Sequence, residues 1–330
     1  MYLVENNCRK PQYNLALEEH LCNLAIRRRE SFFMFWQNEP AIIVGRFQNT
    51  LSEINARFVA ERNIHVVRRN SGGGAVYHDL GNVNYSFVMP SLSDCLDFSA
   101  LAAPIVEVLR EMGVPAESSG RNDITANGRK ISGAAQYRRG GVVLHHGTLL
   151  FNSDLEVLSQ ALNAAPDKFA GKGVQSVRAR VGNIVEYLPS PIGVSEFSAL
   201  AAGRVEEVKC LTRMSFSDLD SSEVARLERE KYSSWDWNYG SSPGFAEHKA
   251  KRFPWGKAEA FIEVRNGAIT AVEFRGDFFG SADFTPLNER LNGCLYTKKA
   301  VKKALLGLNT SNMFAGSLPE DICSLLSPEI

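Results

Sequence analysis

The stretch Asp123-Ile124-Thr125-Ala126-Asn127-Gly128-Arg129-Lys130-Ile131-Ser132-Gly133-Ala134-Ala135-Gln136 sets two short extended runs on either side of Asn127-Gly128. Asn-Gly is a strong signal for a two-residue hairpin turn, whose central positions both need positive φ. The signal returns at Asn266-Gly267, between extended runs at 258–265 and 268–274. Working outward from the first hairpin, residues 142–151 form an apolar strand. Residues 83–88 form another, with Val83, Tyr85 and Phe87 alternating with polar neighbours. Residues 32–37 and 41–44 read as two strands about the turn Asn38-Glu39-Pro40, and residues 64–68 as a strand ahead of a glycine loop.

Helices are expected between these strands. Residues 13–29 carry Leu17, Leu21 and Leu24 at helical spacing, with Arg27, Arg28 and Arg29 at the end where cations favour the dipole. Residues 54–62, 99–112 (Pro104 near its first turns) and 155–162 are further helices. Interspersed helices and strands joined by tight turns predict an α+β fold: a mixed, largely antiparallel sheet with packed helices, and not a doubly wound nucleotide fold. The Ser-, Gly- and aromatic-rich segment 233–244 marks a boundary. The expected domains are 1–243 and a small α/β domain, 244–330, containing the second hairpin and a basic amphipathic helix at 297–308. The lysines of that helix, Lys298, Lys299, Lys302 and Lys303, read first as a solvated face.

The chain has 330 residues, with Lys plus Arg 37 and Asp plus Glu 37. Zero net charge gives no global reason to expect nucleic acid or an anionic membrane as partner. No apolar run approaches the roughly 20 residues that span a bilayer, and no signal peptide is visible. The cysteines Cys8, Cys22, Cys95, Cys210, Cys294 and Cys323 are far apart and form no metal-ligand spacing. Reduced, packed thiols in a cytoplasmic protein are expected.

Four segments could carry chemistry. In Arg68-Arg69-Asn70-Ser71-Gly72-Gly73-Gly74-Ala75-Val76-Tyr77-His78-Asp79, three glycines follow a strand and allow close approach to backbone N–H groups, with Arg69 as a charged fork; a plain flexible turn is the alternative. Asn122, Asp123 and Lys130 belong to the hairpin, where Ser132, Gly133, Ala134 and Ala135 leave room beside the strand; a solvated strand lysine is the alternative. In Leu144-His145-His146-Gly147-Thr148, adjacent histidines point to opposite faces and cannot share one metal, so His146 reads first as a hydrogen-bonded core residue. The segment 170–183, with Lys172, Gly173, Ser176, Val177 and Arg180, reads as a basic loop able to close over a charged ligand, or as an ordinary surface loop. No P-loop and no G-x-G-x-x-G is present, so any ATP site is of another type.

In this order the segments resemble lipoate–protein ligase. The resemblance includes Trp36-Gln37-Asn38, Gly45-Arg46-Phe47-Gln48-Asn49, the run from Arg68 to Asp79, Arg129-Lys130-Ile131-Ser132-Gly133 and His145-His146-Gly147-Thr148. It continues through Lys172-Gly173-Val174-Gln175-Ser176-Val177, Arg252-Phe253-Pro254-Trp255-Gly256 and Leu291-Asn292-Gly293-Cys294. It implies a catalytic domain related to biotin ligases and class II tRNA synthetases, and a C-terminal accessory domain. It implies ATP and Mg²⁺ as cofactors and lipoate (or octanoate) as substrate. Lipoyl domains of 2-oxoacid dehydrogenase acyltransferase subunits and the glycine cleavage H protein would be partners, with neither nucleic acid nor membrane involved. By the same resemblance, Lys130 would be catalytic. Arg69, Gly74, Ala75, Val76, Tyr77, Asn122, Asp123 and Lys130 would bind ATP. Arg69, Ser71, His78, Lys130, Gly133 and His146 would bind lipoate. Lys172, Gly173, Ser176 and Val177 would form the adenylate loop; metal ligands are not implied. An octanoyl transferase of the same fold would carry its acyl group on a cysteine, and none lies between Cys95 and Cys210. A transferase using only preformed lipoyl-AMP is the other alternative.

Overall fold

A computed structural model describes the chain apart from residues 47, 49, 91–97, 120–121, 163–179, 216–218, 220, 241–244, 279–282 and 329–330. In chain order its elements are β1 (Tyr2–Val4), α1 (Pro11–Arg28), β2 (Phe32–Trp36), β3 (Ala41–Val44), α2 (Thr50–Glu53), α3 (Ala56–Glu61), β4 (His65–Arg68), β5 (Val76–His78), β6 (Asn82–Pro90) and α4 (Phe98–Glu111). They continue with β7 (Ala116–Ser119), β8 (Asp123–Ala126), β9 (Arg129–Arg139), β10 (Val142–Leu150), α5 (Leu155–Ala161), α6 (Val194–Lys209), β11 (Thr212–Met214) and α7 (Ser221–Leu227). The last are β12 (Phe245–Phe253), β13 (Gly256–Arg265), β14 (Ala268–Phe278), α8 (Thr285–Leu291), α9 (Lys298–Ala304) and α10 (Pro319–Leu326).

Two compact units result. The first comprises Met1–Arg46 and Asn63–Ser234, the second Phe47–Arg62 and Trp235–Ile330. In the first, an eight-stranded sheet runs β11-β1-β2-β6-β10-β9-β8-β7 and a three-stranded sheet runs β4-β3-β5. Only β11/β1, β1/β2 and β3/β4 pair in parallel among the described strands. The hairpin turns have the predicted geometry, with φ of 49° and 77° at Asn127 and Gly128, and 51° and 76° at Asn266 and Gly267. The mixed, largely antiparallel α+β architecture is therefore as the turn chemistry implies.

On one face of the large sheet, Val83, Tyr85 and Phe87 of β6 pack with Ile105 and Leu109 of α4 and Phe197 and Val205 of α6. Each such side chain contributes about 1.5–3 kcal/mol when fully buried. The alternating polar residues do not face water: Asn82, Asn84 and Ser86 are also buried. Helix α1 packs over that second face, and there Ser86 donates to Glu18 (2.6 Å). A polar stripe is thus enclosed between helix and sheet, and this enclosure positions the site.

In the second unit the antiparallel β12-β13-β14 sheet packs with α8, α9 and α10 around Ile262, Leu287, Val301, Phe314 and Leu325, and Leu51 of α2 joins that core. Thr50 donates to the carbonyl of Asn238 (2.6 Å), which fixes the segment 47–62 within this unit.

Several local expectations are corrected. The strands 32–37 and 41–44 do not pair with each other; β2 joins the large sheet and β3 the small one. The helix expected over 54–62 is α3, Ala56–Glu61, which Asn55 caps by accepting from the Phe58 N–H (3.2 Å); the unexpected short α2 precedes it. The basic helix over 297–308 stops at Ala304, with Thr297 as its N-cap. Pro104 lies inside α4 and is buried there. Strand β5 was not anticipated at all. Among the described residues the cysteines are free; Cys22 is buried, but Cys210 is exposed and caps α6. Cys95 lies outside the described residues. No helix among the described residues is long and apolar enough to cross a membrane.

Candidate active site

The glycine segment leaves β4 and enters β5, and Arg69 organises the turn between them. Arg69 is 5% exposed. Its Nε donates to Ser71 Oγ (2.9 Å), and its terminal nitrogens donate to the carbonyls of Ile43 (3.0 Å), Gly72 (2.7 Å) and Gly74 (2.8 Å). The guanidinium fork is therefore committed to its own loop and to β3; it shapes the glycines from behind. Burial lowers its pKa to about 10, against the raising effect of Glu18. Gly73 has φ of 93°, and a Cβ there would sit 3.0 Å from the Arg69 guanidinium, so a glycine is required on both counts. Gly73 and Gly74 are exposed, Ala75 and Val76 half-buried, and Tyr77 is buried and paired with Ile42 of β3.

The adjacent histidines of β10 do point to opposite faces. His145 meets Tyr85 and Phe98 in the apolar core and contacts Gln136 (2.9 Å), and burial lowers its pKa to about 3. His146 lies on the α1 face. Its Nδ1 is 2.9 Å from Glu18 Oε1, and its Nε2 is 2.6 Å from Ser71 Oγ. With Nδ1–H donated to the carboxylate, Nε2 accepts the Ser71 hydroxyl, and Ser71 accepts from Arg69. Trp36 Nε1 donates to Ser86 (2.8 Å), which ends on the same carboxylate. A buried polar chain thus runs from α1 through β10 into the glycine loop.

His78 also belongs to this enclosure. It is buried at the end of β5, and its Nδ1 lies 3.0 Å from Asn38 Nδ2. Burial, then Arg69 and His146, lower its pKa to about 3, so the ring is neutral. The next residue, Asp79, accepts from the N–H groups of Gly81 (2.9 Å) and Asp154 (2.7 Å) and so ties the glycine segment to the start of α5.

Lys130 sits early on β9, with Nζ 2.7 Å from Asp123 Oδ1. Its side chain reaches over Gly133, where a Cβ would stand 2.8 Å from Nζ. Gly133 N–H in turn meets Thr148 Oγ1 (3.2 Å), and His146 pairs with Ala135 across β9/β10. Lys130 and His146 are therefore carried by neighbouring strands on either side of a patch of small residues. Asn122 is used locally: its amide donates to the Ala134 carbonyl (2.6 Å).

The backbone of Lys130 holds a second element. Gly182 N–H donates to the Lys130 carbonyl (2.9 Å), and Arg129 donates to the Val181 carbonyl (2.9 Å) and pairs with Glu186 (2.6 Å). After the residues that are not described, the chain meets the strand of Lys130 at Val181 and Gly182. Lys172, Gly173, Ser176 and Val177 lie outside the described residues.

Glu18 and Asn38 were missed as site residues. The signal was present in α1: Asn14 and Glu18 interrupt the otherwise apolar face of Leu17, Leu21, Leu24 and Ala25, and all are buried.

A lysine poised over a glycine suits a reaction in which two anions must be brought together, as in acyl-adenylate formation. Comparison with known proteins narrows this. Residues 10–204 match the family described as Lipoyl protein ligase A/B catalytic domain, and residues 242–326 match Bacterial lipoate protein ligase C-terminus. Lipoate-protein ligase LplJ of Bacillus subtilis is 38% identical over 99% of both chains, and Lipoate--protein ligase 1 of Staphylococcus aureus is 37% identical over 99% of both. Among solved structures, P. falciparum LipL1 in complex with lipoate is 28% identical, with TM-score 0.62 and 98% of both chains covered. A lipoate-protein ligase A bound with ATP is 27% identical, with TM-score 0.62, covering 73% of this chain and 98% of that one. The chain belongs to the lipoate–protein ligase family.

Proposed function

We propose that the protein activates lipoate with ATP to lipoyl-AMP and transfers the lipoyl group to a specific lysine of lipoyl domains. The observation that carries the site assignment is the position of Lys130: its ammonium lies over Gly133 beside Asp123, and its backbone receives the far end of the basic segment. Relatives that share the full length are named as lipoate-protein ligases, and structural neighbours of this family hold lipoate or ATP.

In the first step a lipoate carboxylate oxygen attacks the α-phosphorus and pyrophosphate leaves. Lys130 offsets the repulsion between the two anions and the charge that builds between them. The backbone of Gly74, Ala75, Val76 and Tyr77 would receive the nucleotide, with Arg69 holding that turn in shape. Ser71, His78, Gly133 and His146 would border the lipoyl chain, with Asn122 and Asp123 near the adenylate. In the second step the neutral amine of the partner lysine attacks the lipoyl carbonyl, AMP leaves and the amine loses its proton. The segment bearing Lys172, Gly173, Ser176 and Val177 would keep water from the mixed anhydride.

Among the described residues no three His, Cys, Asp or Glu side chains gather as a cation site. That suits a Mg²⁺ held chiefly by phosphate oxygens and water, with Asp123 the nearest carboxylate to Lys130; Mg²⁺ seldom uses an all-protein cage. When bound it would neutralise the pyrophosphate. The catalytic domain is taken as residues 1–243 and the accessory domain as 244–330; the matched families, over 10–204 and 242–326, support a division near there, while residues 47–62 and 235–243 belong to the second compact unit. Acyltransferase subunits of 2-oxoacid dehydrogenases and the glycine cleavage H protein are the proposed lysine donors, in the cytoplasm.

The test is incubation with ATP, Mg²⁺, lipoate and an apo lipoyl domain, weighing the product, alongside lipoate-dependent ATP–pyrophosphate exchange. One added lipoyl group and exchange above background are expected. Transfer from lipoyl-AMP with no exchange overturns the activation step.

A further inference from the structure

Between α1 and β5 runs a chain of buried amides whose orientation follows from hydrogen-bond chemistry. Asn14 and Asn38 are fully buried. One side-chain atom of Asn14 lies 3.0 Å from the Cys8 carbonyl and 2.9 Å from the Gln37 carbonyl. Carbonyls only accept, so that atom is the amide nitrogen. The same nitrogen, its two hydrogens shared among three partners, is 2.8 Å from the Asn38 side chain, and because an amide nitrogen does not accept, the atom it meets there is the oxygen. The Asn38 nitrogen is then the atom that faces His78 Nδ1, at 3.0 Å. An amide nitrogen only donates, so Nδ1 is the bare, accepting nitrogen and the ring proton is on Nε2. His78 is 3% exposed, and its Nε2 has no hydrogen-bond partner among the described residues. A buried donor without an acceptor is destabilising, and in a site region such a group calls for a ligand atom to complete it.

We propose that the Asn14–Asn38 relay holds His78 as the Nε2–H tautomer, so that the ring offers a buried proton donor to an acceptor atom of the bound acyl substrate. Asn38 is the positioning residue. The identity of the ligand rests on the ligase function above; the tautomer does not. The groups around the ring are Asn38 at Nδ1, the Trp36 ring 6.1 Å away, and the charged or titratable Arg69 and His146. With the Arg69 cation on that side and no carboxylate in contact among the described residues, the ring stays a neutral donor and does not act as a switch.

Nitrogen-15 NMR of the imidazoles in the full chain tests this. Wild-type His78 is expected as the Nε2–H tautomer, unchanged between about pH 5.5 and about pH 8, with the Nε2–H resonance shifting when lipoate is added. Asn38→Asp sets a carboxylate against Nδ1. It should draw the proton to Nδ1, bring the ring's titration into the observed range, and raise KM for lipoate on the order of tenfold with kcat changed less than about twofold. The wild-type spectrum needs no variant, so an Asn38→Asp chain that fails to fold does not shelter the proposal. A wild-type Nδ1–H tautomer overturns it. Lipoate-dependent exchange with no shift at His78 Nε2–H overturns the donor role alone. A lipoate-induced shift without any exchange leaves the donor standing and overturns the ligase function instead.

Discussion

At Lys130 position and charge are separable. Its side chain is 40% exposed and its partner Asp123 is 34% exposed, so the pair contributes at most about 1 kcal/mol. Lys130→Ala should therefore fold with stability within about 1 kcal/mol of the parent, while lipoate-dependent pyrophosphate exchange falls by at least about 10²–10³-fold. Full exchange in that variant would remove Lys130 from the mechanism. Gly133→Ala keeps the charge but displaces it, since the new methyl would lie 2.8 Å from Nζ and 2.9 Å from Cε. Exchange should fall at least about tenfold with little change in melting temperature, because the clash is with the far end of a flexible side chain. Glu18 behaves in the opposite way. It accepts from Ser86 and His146 in full burial, so Glu18→Ala leaves two donors unmatched and should cost roughly 1–3 kcal/mol in chemical denaturation.

Between elements, a second ionic cluster fastens the glycine turn. Glu19 of α1 accepts from Lys231 (2.6 Å), Tyr232 (2.6 Å) and Asn70 (3.1 Å), and Lys231 also donates to Asn70 (2.9 Å). Burial pushes the Glu19 carboxyl upward, but Lys231 and these hydrogen bonds outweigh it and hold its pKa below the ordinary value. A carboxyl depressed by folding supplies stability that is present above its unfolded pKa and is lost as pH falls through the folded one. Unfolding measured against pH should show this loss in the acid range, and Glu19→Gln should flatten it. An unchanged acid limb in Glu19→Gln would exclude the cluster as its source. What could be read at this scale from sequence alone was whatever chemistry is local. Asn127-Gly128 and Asn266-Gly267 named their own turns, and alternating histidine faces followed from strand geometry. The parting of β2 and β3 into different sheets was not legible, since both are apolar runs around one proline turn. Nor was the commitment of Arg69 to carbonyls of its own loop and of β3, or the relay from Glu18 to Ser71. The relay joins residues 75 or more positions apart, and the Arg69 contacts depend on which carbonyls the folded glycine turn presents.

For the molecule as a whole, the chain passes between its two units after Arg46, after Arg62 and after Ser234. A chain cut after Ser234 therefore retains residues 47–62 without the core that Leu51 joins or the Asn238 carbonyl that Thr50 meets. Such a truncation should bind more hydrophobic dye and melt earlier than the full chain; identical melting would show that the segment needs no cover. The basic segment offers another whole-chain test. Cleavage at Lys172 or Arg178 by trypsin should slow when lipoate and ATP are both added, and unchanged cleavage would count against a closing loop. The threading also has a consequence for biosynthesis. Residues 47–62 leave the ribosome on the order of tens of seconds before residues 235–330 at ordinary elongation rates. The nascent first unit must hold an orphan stretch of chain through that interval, so a chaperone that shields short apolar segments during translation should raise the yield of this protein more than it hastens the refolding of the finished chain.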